Sequence, residues 1–495
     1  MKKVFFIVFL FSFCGSLFSQ NSQLDDFSVT YYKKTVKVKE CKQDVTLSVT
    51  YINDNNYLST LSLRRKDGYF GFPDILFTVY VGDIRIKDFV VTNDTVFFCG
   101  TYKDSKSMEA CIGFFNIDTL FNAYWNTQSG WQHFNEYIYV QKGFETKYRG
   151  RVSTLDKLIA YYDKYRKRHV VCIGQAETEA DELVKRDCMV DFSHDGNMWS
   201  YNSGILNHYD TNSLEAIAFV PGLLDDYVVT AGFEIEQSLT IRLYNPHDVF
   251  SLPLSNIVSV FNDFSATEER LWKMNEIEIA PDAEGSFVTA SVWKRPVEIL
   301  PLKNRIHLAR FSTYGLYNNY PGSMTWSRDL LSSNAFPNIT GIHGLVSNSR
   351  NESYGLLLES ERPFVGGDIR SFFVELDGTM DNILFNLRAD GYDSVVDLKL
   401  RGLDLYDGGN KYIMAGSGMP TTFNKIIHLT ETTRQASTCL PSIVCELKKF
   451  EPVKCNKGER EFESLGGRVT IEPLRTAFET TGRYRICPVS DEMDE

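Results

Sequence analysis

The feature that most restricts how this chain can fold is an internal repeat. Short apolar runs closing on a small residue recur roughly 50 to 75 residues apart. They are Val96-Phe97-Phe98-Cys99-Gly100, Val170-Val171-Cys172-Ile173-Gly174, Val228-Val229-Thr230-Ala231-Gly232, Phe287-Val288-Thr289-Ala290-Ser291, Leu356-Leu357-Leu358-Glu359-Ser360 and Tyr412-Ile413-Met414-Ala415-Gly416. Val45-Thr46-Leu47-Ser48-Val49 is a weaker first copy. Each run has the length and composition of a strand, and the closing Gly or Ser permits a turn or a close backbone approach. A second apolar run follows each clear copy after a polar loop, at 113–117, 189–193, 241–245, 308–312, 372–376 and 426–430. The pair reads as the middle hairpin of a repeated antiparallel sheet.

The expected fold class is therefore all-β. About four strands over ~50 residues is the size of a β-propeller blade. Six clear copies and one weak one favour seven blades over six or eight. A pair of sandwiches or a solenoid is the alternative, but sandwiches do not usually repeat one hairpin signature six times, and the repeat is too long for a solenoid coil. Helical signal is thin. Residues 151–168 carry Leu155, Leu158, Ile159, Tyr162 and Tyr165 near helical spacing, so they read as a short helix or as a blade's first strand. Residues 177–186 read as an acidic, helical insertion in a hairpin loop.

The chain opens on Lys2 and Lys3, an apolar run at 4–13, and the small residues Gly15, Ser16 and Ser19. This is the pattern of a secretory signal peptide cleaved after Ser19, too short to span ~30 Å of hydrocarbon. The expected organisation is a signal peptide at 1–19, a propeller at 20–436 and a Cys-rich segment at 437–495 that closes the last blade. No later stretch resembles a transmembrane segment, so the product is expected in the periplasm, on the cell surface or outside the cell. With 64 acidic against 52 basic residues and a net charge of -12, no nucleic-acid partner is expected.

An oxidising compartment makes cysteines candidates for disulfides. Cys99 and Cys111 flank one hairpin loop, and Cys172 and Cys188 flank the next. Each pair reads either as a cross-strand disulfide or as two small buried thiols. Cys439, Cys445, Cys455 and Cys487 lack zinc-type spacing and read as a bridge cluster.

In its signal peptide and aromatic-rich strand repeats, the chain resembles secreted β-propeller proteins of the Bacteroidetes type over residues 40–436. Asp94-Thr95-Val96, Asp118-Thr119-Leu120 and Asp393-Ser394-Val395 look like the short O-glycosylation sequons of such bacteria. Ser193-His194-Asp195-Gly196-Asn197-Met198-Trp199 resembles a degenerate Asp-box, the turn motif between the last two strands of sialidase-type blades. That resemblance implies a structural role, with Asp binding turn amides and Trp packing between blades.

No motif identifies a reaction. H-E-x-x-H and G-x-S-x-G are absent and the eight histidines are scattered, so neither a metal site nor a cofactor is expected. Aromatic residues beside amides are the remaining clue. Trp125 and Trp131 surround one polar loop, and Tyr317, Tyr320 and Trp326 another. Such rings either hold sugars or peptides, or pack between blades. The expected function is that of a secreted, non-catalytic propeller binding a glycan, peptide or surface protein through one face. The alternatives are a glycan-processing hydrolase or lyase with its site at the propeller mouth, and a structural subunit of a surface assembly.

Overall fold

Continuous apolar runs, rather than alternating ones, form where both faces of a strand are buried. The computed structural model shows this arrangement. It describes residues 30–481 apart from connections, the longer of which are 67–74, 120–132, 207–212, 260–272, 295–303, 319–323, 333–338, 361–370, 390–394, 421–425 and 434–444. The protein is all-β. Seven small antiparallel sheets follow one another along the described chain, and none closes on itself.

Sheet 1 begins with β1 (Thr30–Val38), β2 (Cys41–Asn53), β3 (Leu58–Lys66) and β4 (Ile75–Val81). Sheet 2 holds β5 (Ile84–Thr92), β6 (Thr95–Lys103), β7 (Met108–Asn116) and β9 (Tyr139–Lys142), whereas the two-residue β8 (His133–Phe134) between the last two belongs to sheet 1. Sheet 3 comprises β10 (Arg151–Tyr162), β11 (Arg168–Thr178), β12 (Asp181–His194) and β13 (Trp199–Leu206). Sheet 4 comprises β14 (Ala216–Val220), β15 (Tyr227–Glu234), β16 (Ser238–Tyr244) and β17 (Ser255–Ser259). Sheet 5 has β18 (Lys273–Asp282), β19 (Ser286–Lys294), β20 (Arg305–Ser312) and β21 (Met324–Ser332), with the short helix α1 (Thr313–Asn318) between the last two. Sheet 6 has β22 (Ile339–Asn348), β23 (Ser353–Ser360), β24 (Ser371–Asp377) and β25 (Ile383–Ala389). Sheet 7 has three strands, β26 (Val395–Tyr406), β27 (Lys411–Pro420) and β28 (Ile426–Thr433).

Every one of the six clear runs lies on the second strand of its sheet, and its companion run lies on the third. Residues 151–162 form a first strand and not a helix. The acidic stretch is extended at 177–178 and 181–186. β11 and β12 continue pairing almost to their turn, with Glu177 opposite Lys185 and Thr178 opposite Asp181, which leaves no helical insertion there.

The core lies between consecutive sheets. Phe287 joins an apolar cluster with Val229, Ile241 and Leu243 of sheet 4, whereas its neighbour Val288 joins Leu356, Leu358 and Val374 of sheet 6. Val170 and Cys172 pack towards sheet 2, and Val171 and Ile173 towards sheet 4. Successive side chains of a strand point to opposite faces, so burying both faces requires apolar residues at every position.

The closing glycines have a steric cause. A Cβ on Gly100 would overlap the carbonyl oxygen of Arg85, one on Gly174 that of Thr154, and one on Gly232 that of Ser213. In each case the obstructing carbonyl belongs to the first strand or its approach. Gly100 stands opposite Ile86, Gly174 opposite Leu155 and Gly416 opposite Leu400, and in all three the first strand bulges immediately afterwards.

The C-terminal residues form strands that join sheets already built. β29 (Cys445–Phe450) pairs with β21, β30 (Cys455–Lys457) with β17, β31 (Phe462–Arg468) with β13, β32 (Ile471–Pro473) with β9, and β33 (Thr476–Thr481) with β4. The tail thus adds an outer strand to sheets 5, 4, 3 and 2 in that order, and then a strand to sheet 1, where β33 lies between β4 and β8. Among the described residues it adds none to sheet 7, the last of the repeat.

Candidate functional site

Two places combine exposure with functional side chains: a charged centre made by first strands, and the end of the molecule where hairpins gather.

The charged centre follows from the bulges. A bulge re-aims the residue after it, and the residues following the bulges of β5, β10 and β18 are Asp88, Lys157 and Glu276. Lys157 Nζ lies 2.5 Å from Glu278 Oε1, so the ion pair reaches from sheet 3 to sheet 5. Their side chains keep 31% and 26% of their exposure, so water reaches the centre. Carboxylates of the first strands, and Asp187 of the third strand β12, also accept backbone amides of the following sheet. Asp88 Oδ2 accepts from Leu158 N at 3.0 Å, Asp187 Oδ2 from Leu214 N at 2.6 Å, and Glu276 Oε2 from Ile342 N at 2.8 Å.

Burial pushes the Asp88 carboxyl up to about 7, against the downward pull of the Leu158 amide and Lys157. Burial likewise raises Asp187 to about 7 and raises Glu215. Burial works against the Lys157 charge, but Glu278, Asp88 and Glu215 together outweigh it and the net shift is upward. Near-neutral acids beside a lysine have the chemistry of proton transfer.

The sign of the resulting pH dependence is fixed. The folded state holds the Asp88 proton more tightly than an ordinary aspartate near ~3.9, so this group's contribution to stability falls as pH rises from about 4 to about 7. Asp88→Asn keeps an acceptor for the Leu158 amide and is expected to flatten that slope. Urea midpoints of both proteins at pH 5 and pH 8 check this; an unchanged slope in the variant rules Asp88 out as its source.

The second place is the end at which each first strand turns into the second and each third strand into the fourth. Contacts tie consecutive sheets together there. Between sheets 2 and 3, the Arg168 guanidinium lies over the Phe97 ring at 5.5 Å. Between sheets 3 and 4, Tyr161 Oη donates to Pro246 O at 2.9 Å and His247 Nδ1 lies 3.2 Å from Asp163 Oδ2. His169 Nδ1 stands 3.0 Å from both Asp191 oxygens, and the Tyr161 ring is stacked between His169 and Phe219. Burial alone would raise Asp163, but the Lys167 amide, His247, His169 and the Tyr165 amide hold it below the usual range.

Sheets 5 and 6 are joined by Asp282, which accepts from Arg310 Nε at 2.7 Å, Ser347 Oγ at 2.6 Å and Tyr354 Oη at 2.8 Å. Sheets 6 and 7 meet where buried Glu375 accepts from Ser353 Oγ at 2.7 Å and Tyr412 Oη at 2.8 Å. Buried carboxylates with several donors fix the sheets against one another.

Exposed large apolar side chains concentrate at this end. Tyr139, Tyr162, Tyr165, Met198, Leu224, Tyr314 and Tyr317 all sit at strand ends or turns there, on sheets 2 to 5. Among the described residues only Met108 lies at the opposite end. Tyr165 is 73% exposed yet leans on His247 at 5.0 Å, and Tyr317 is 47% exposed beside Tyr227 at 6.2 Å. Rigid sheets therefore carry an open aromatic surface.

The Ser193–Trp199 turn sits at the same end. Asp195 Oδ1 accepts the amides of Asn197 and Met198, both at 2.9 Å, and Gly196 takes φ +98. The Trp199 ring stacks on Phe192 and meets Phe97 and Phe114 of sheet 2. Asp binding turn amides and Trp packing between sheets is the arrangement that the turn motif implies.

Of the aromatic residues singled out from sequence, Tyr317 belongs to the exposed surface. Trp326 does not: it is half-buried, packs on the core between sheets 5 and 6, and meets Tyr354 edge-on at 5.7 Å. Trp125, Trp131 and Tyr320 lie outside the described residues.

Cys99, Cys111, Cys172 and Cys188 are buried free thiols. Register explains why neither hairpin pair is bridged. Cys99 stands opposite Ile112 and Cys111 opposite Gly100, which puts the two cysteines on opposite faces. Cys172 stands opposite Val190 and Cys188 opposite Gly174. That diagonal separates Cα atoms by about 7–8 Å, beyond the usual disulfide range. Cys445 and Cys455 begin β29 and β30; Cys439 and Cys487 lie outside the described residues.

No protein-family model matches the chain, and no curated protein matches it. No helix among the described residues is long and apolar enough to cross a membrane.

Proposed function

We propose that the seven sheets are blades of a closed propeller, and that the exported protein binds a glycan, peptide or surface protein through its hairpin end without chemistry. Supporting closure, β5 packs on β10, β10 on β14, β14 on β18, β18 on β22, β22 on β26, β26 on β1, and β1 on β5. First strands then line an axis, and the remaining strands radiate from it. Supporting binding is one observation: exposed aromatic and apolar side chains gather at a single end, across four adjacent sheets. Patches of that kind mark interaction surfaces, and tyrosines suit partners with both polar and apolar surface.

The test is a glycan and peptide array screened with purified protein lacking residues 1–19, with supernatants assayed for released products. Tyr165→Ala and Tyr317→Ala are each expected to weaken binding about tenfold, or roughly 1.4 kcal/mol. Met108→Ala, at the other end, is expected to leave it unchanged. Binding that survives both tyrosine changes removes this surface from consideration.

A second reading rests on the charged centre, where Asp88, pushed up to about 7 by burial, and Glu215, also raised, interact with Lys157. It makes the protein a glycan-processing hydrolase or lyase. Product release abolished by Asp88→Asn would select it over the binder.

A further inference from the structure

The hairpin cysteines are set apart within their own sheets, but two of them meet between sheets. Cys99 on β6 and Cys172 on β11 both belong to the apolar cluster that joins sheets 2 and 3. Burial and the neighbouring Cys172 thiol both raise the Cys99 thiol. Contacts on either side hold the sheets in register at this level. Two residues before Cys99, the Phe97 ring meets Trp199 at 6.2 Å and lies under Arg168. Two residues after it, Thr101 Oγ1 donates to Thr154 Oγ1 at 3.1 Å. Cys99 is thus the middle of three same-face positions along β6, all of which touch sheet 3.

We propose that Cys99 and Cys172 form a disulfide joining sheets 2 and 3. In the cell this rests on export to an oxidising compartment, as proposed above; the pairing itself rests on the packing. The oxidant is a disulfide of the glutathione or dithiol-oxidase class. The thiolate of one cysteine attacks an oxidant sulfur, making a mixed disulfide and releasing one oxidant thiolate. The thiolate of the other then attacks the protein sulfur of that mixed disulfide, closing the Cys99–Cys172 bond and releasing the second. Two protons pass from the protein thiols and two electrons reduce the oxidant. Both thiols are fully buried, and burial holds the Cys99 thiol well above its ordinary range. Attack therefore belongs to folding, before sheets 2 and 3 have closed on each other.

The test is refolding of the full chain, without residues 1–19, in oxidised and reduced glutathione. Proteolysis and mass spectrometry follow without reduction. The expected result is one linked peptide pair containing Cys99 and Cys172, lighter by two hydrogens. Cys99→Ser or Cys172→Ser abolishes it, whereas Cys111→Ser and Cys188→Ser leave it in place. The native, reduced protein is expected to form the link at least tenfold more slowly than the refolding chain. Recovery of both thiols fully alkylated after denaturation, or links of Cys99 to Cys111 and Cys172 to Cys188, overturns the pairing. A link that forms on refolding but is missing from protein harvested after export overturns the compartment and leaves the pairing intact.

Discussion

Gly174→Ala is expected to destabilise the protein by at least about 3 kcal/mol, the upper range for forcing volume into a packed site. The added methyl would overlap Thr154 O and crowd Leu155 Cα. Both are backbone, and bulges at Val152/Thr154 and Leu155/Lys157 hold that strand segment in place. A flexible side chain could swing aside; a bulged strand cannot move without dragging Lys157 from Glu278 and Leu158 N from Asp88. Gly100→Ala and Gly232→Ala meet the same kind of obstacle at Arg85 O and Ser213 O. Gly82→Ala is the control, because nothing lies within 4 Å of its Cβ position, and its expected cost is within about 0.5 kcal/mol. Urea unfolding of the four variants separates these cases. A Gly174→Ala midpoint equal to that of Gly82→Ala would falsify the steric account of the repeat.

That account explains how much of the fold the sequence carries. Strand runs ending in glycine are legible because their cause is local: two buried faces demand unbroken apolar residues, and a neighbouring carbonyl excludes a Cβ. The charged centre had no such signature. Asp88, Lys157 and Glu276 come from three sheets, and each is re-aimed by a bulge, which is a property of pairing rather than of composition. Register also decided the cysteines. Cys99 and Cys111 flank one turn as a bridged pair would, yet a one-residue offset sends them to opposite faces.

The aromatic residues divide for a similar reason. Tyr317 and Trp326 lie nine positions apart in sequence, one on the open side of a short, half-buried helix and one within a strand against the core. Composition alone could not separate them. Tyr162 and Tyr165, read from sequence within a stretch that is either a short helix or a first strand, end that strand and occupy its turn, which brings both into the open at the hairpin end.

A chain ended after Thr433 is expected to be insoluble, or to elute as aggregates, even though every strand of the seven sequential repeats is retained. Removing β29–β33 strips the outer neighbour from β21, β17, β13, β9 and β4 together. Unpaired strand edges template association with other chains, and five of them are uncovered at once. The loss also reaches the core. Val469 and Ile471 pack on the cluster between sheets 2 and 3. Thr470 N donates to Gln141 Oε1 at 2.6 Å, and Glu472 pairs with Lys142 at 3.0 Å. Gly467 lies so close over the Tyr201 ring that a Cβ would collide with it, so the tail covers a buried side chain as well as a strand edge. Ending the chain after Pro473 instead keeps four of the five pairings and loses only β33; that protein is expected to stay soluble with a lowered unfolding midpoint. Soluble yield and size-exclusion profiles of the two truncations, beside the full chain, decide the matter. A monomeric, cooperatively unfolding product from the Thr433 truncation would show that the repeats stand alone and that the tail only decorates their edges.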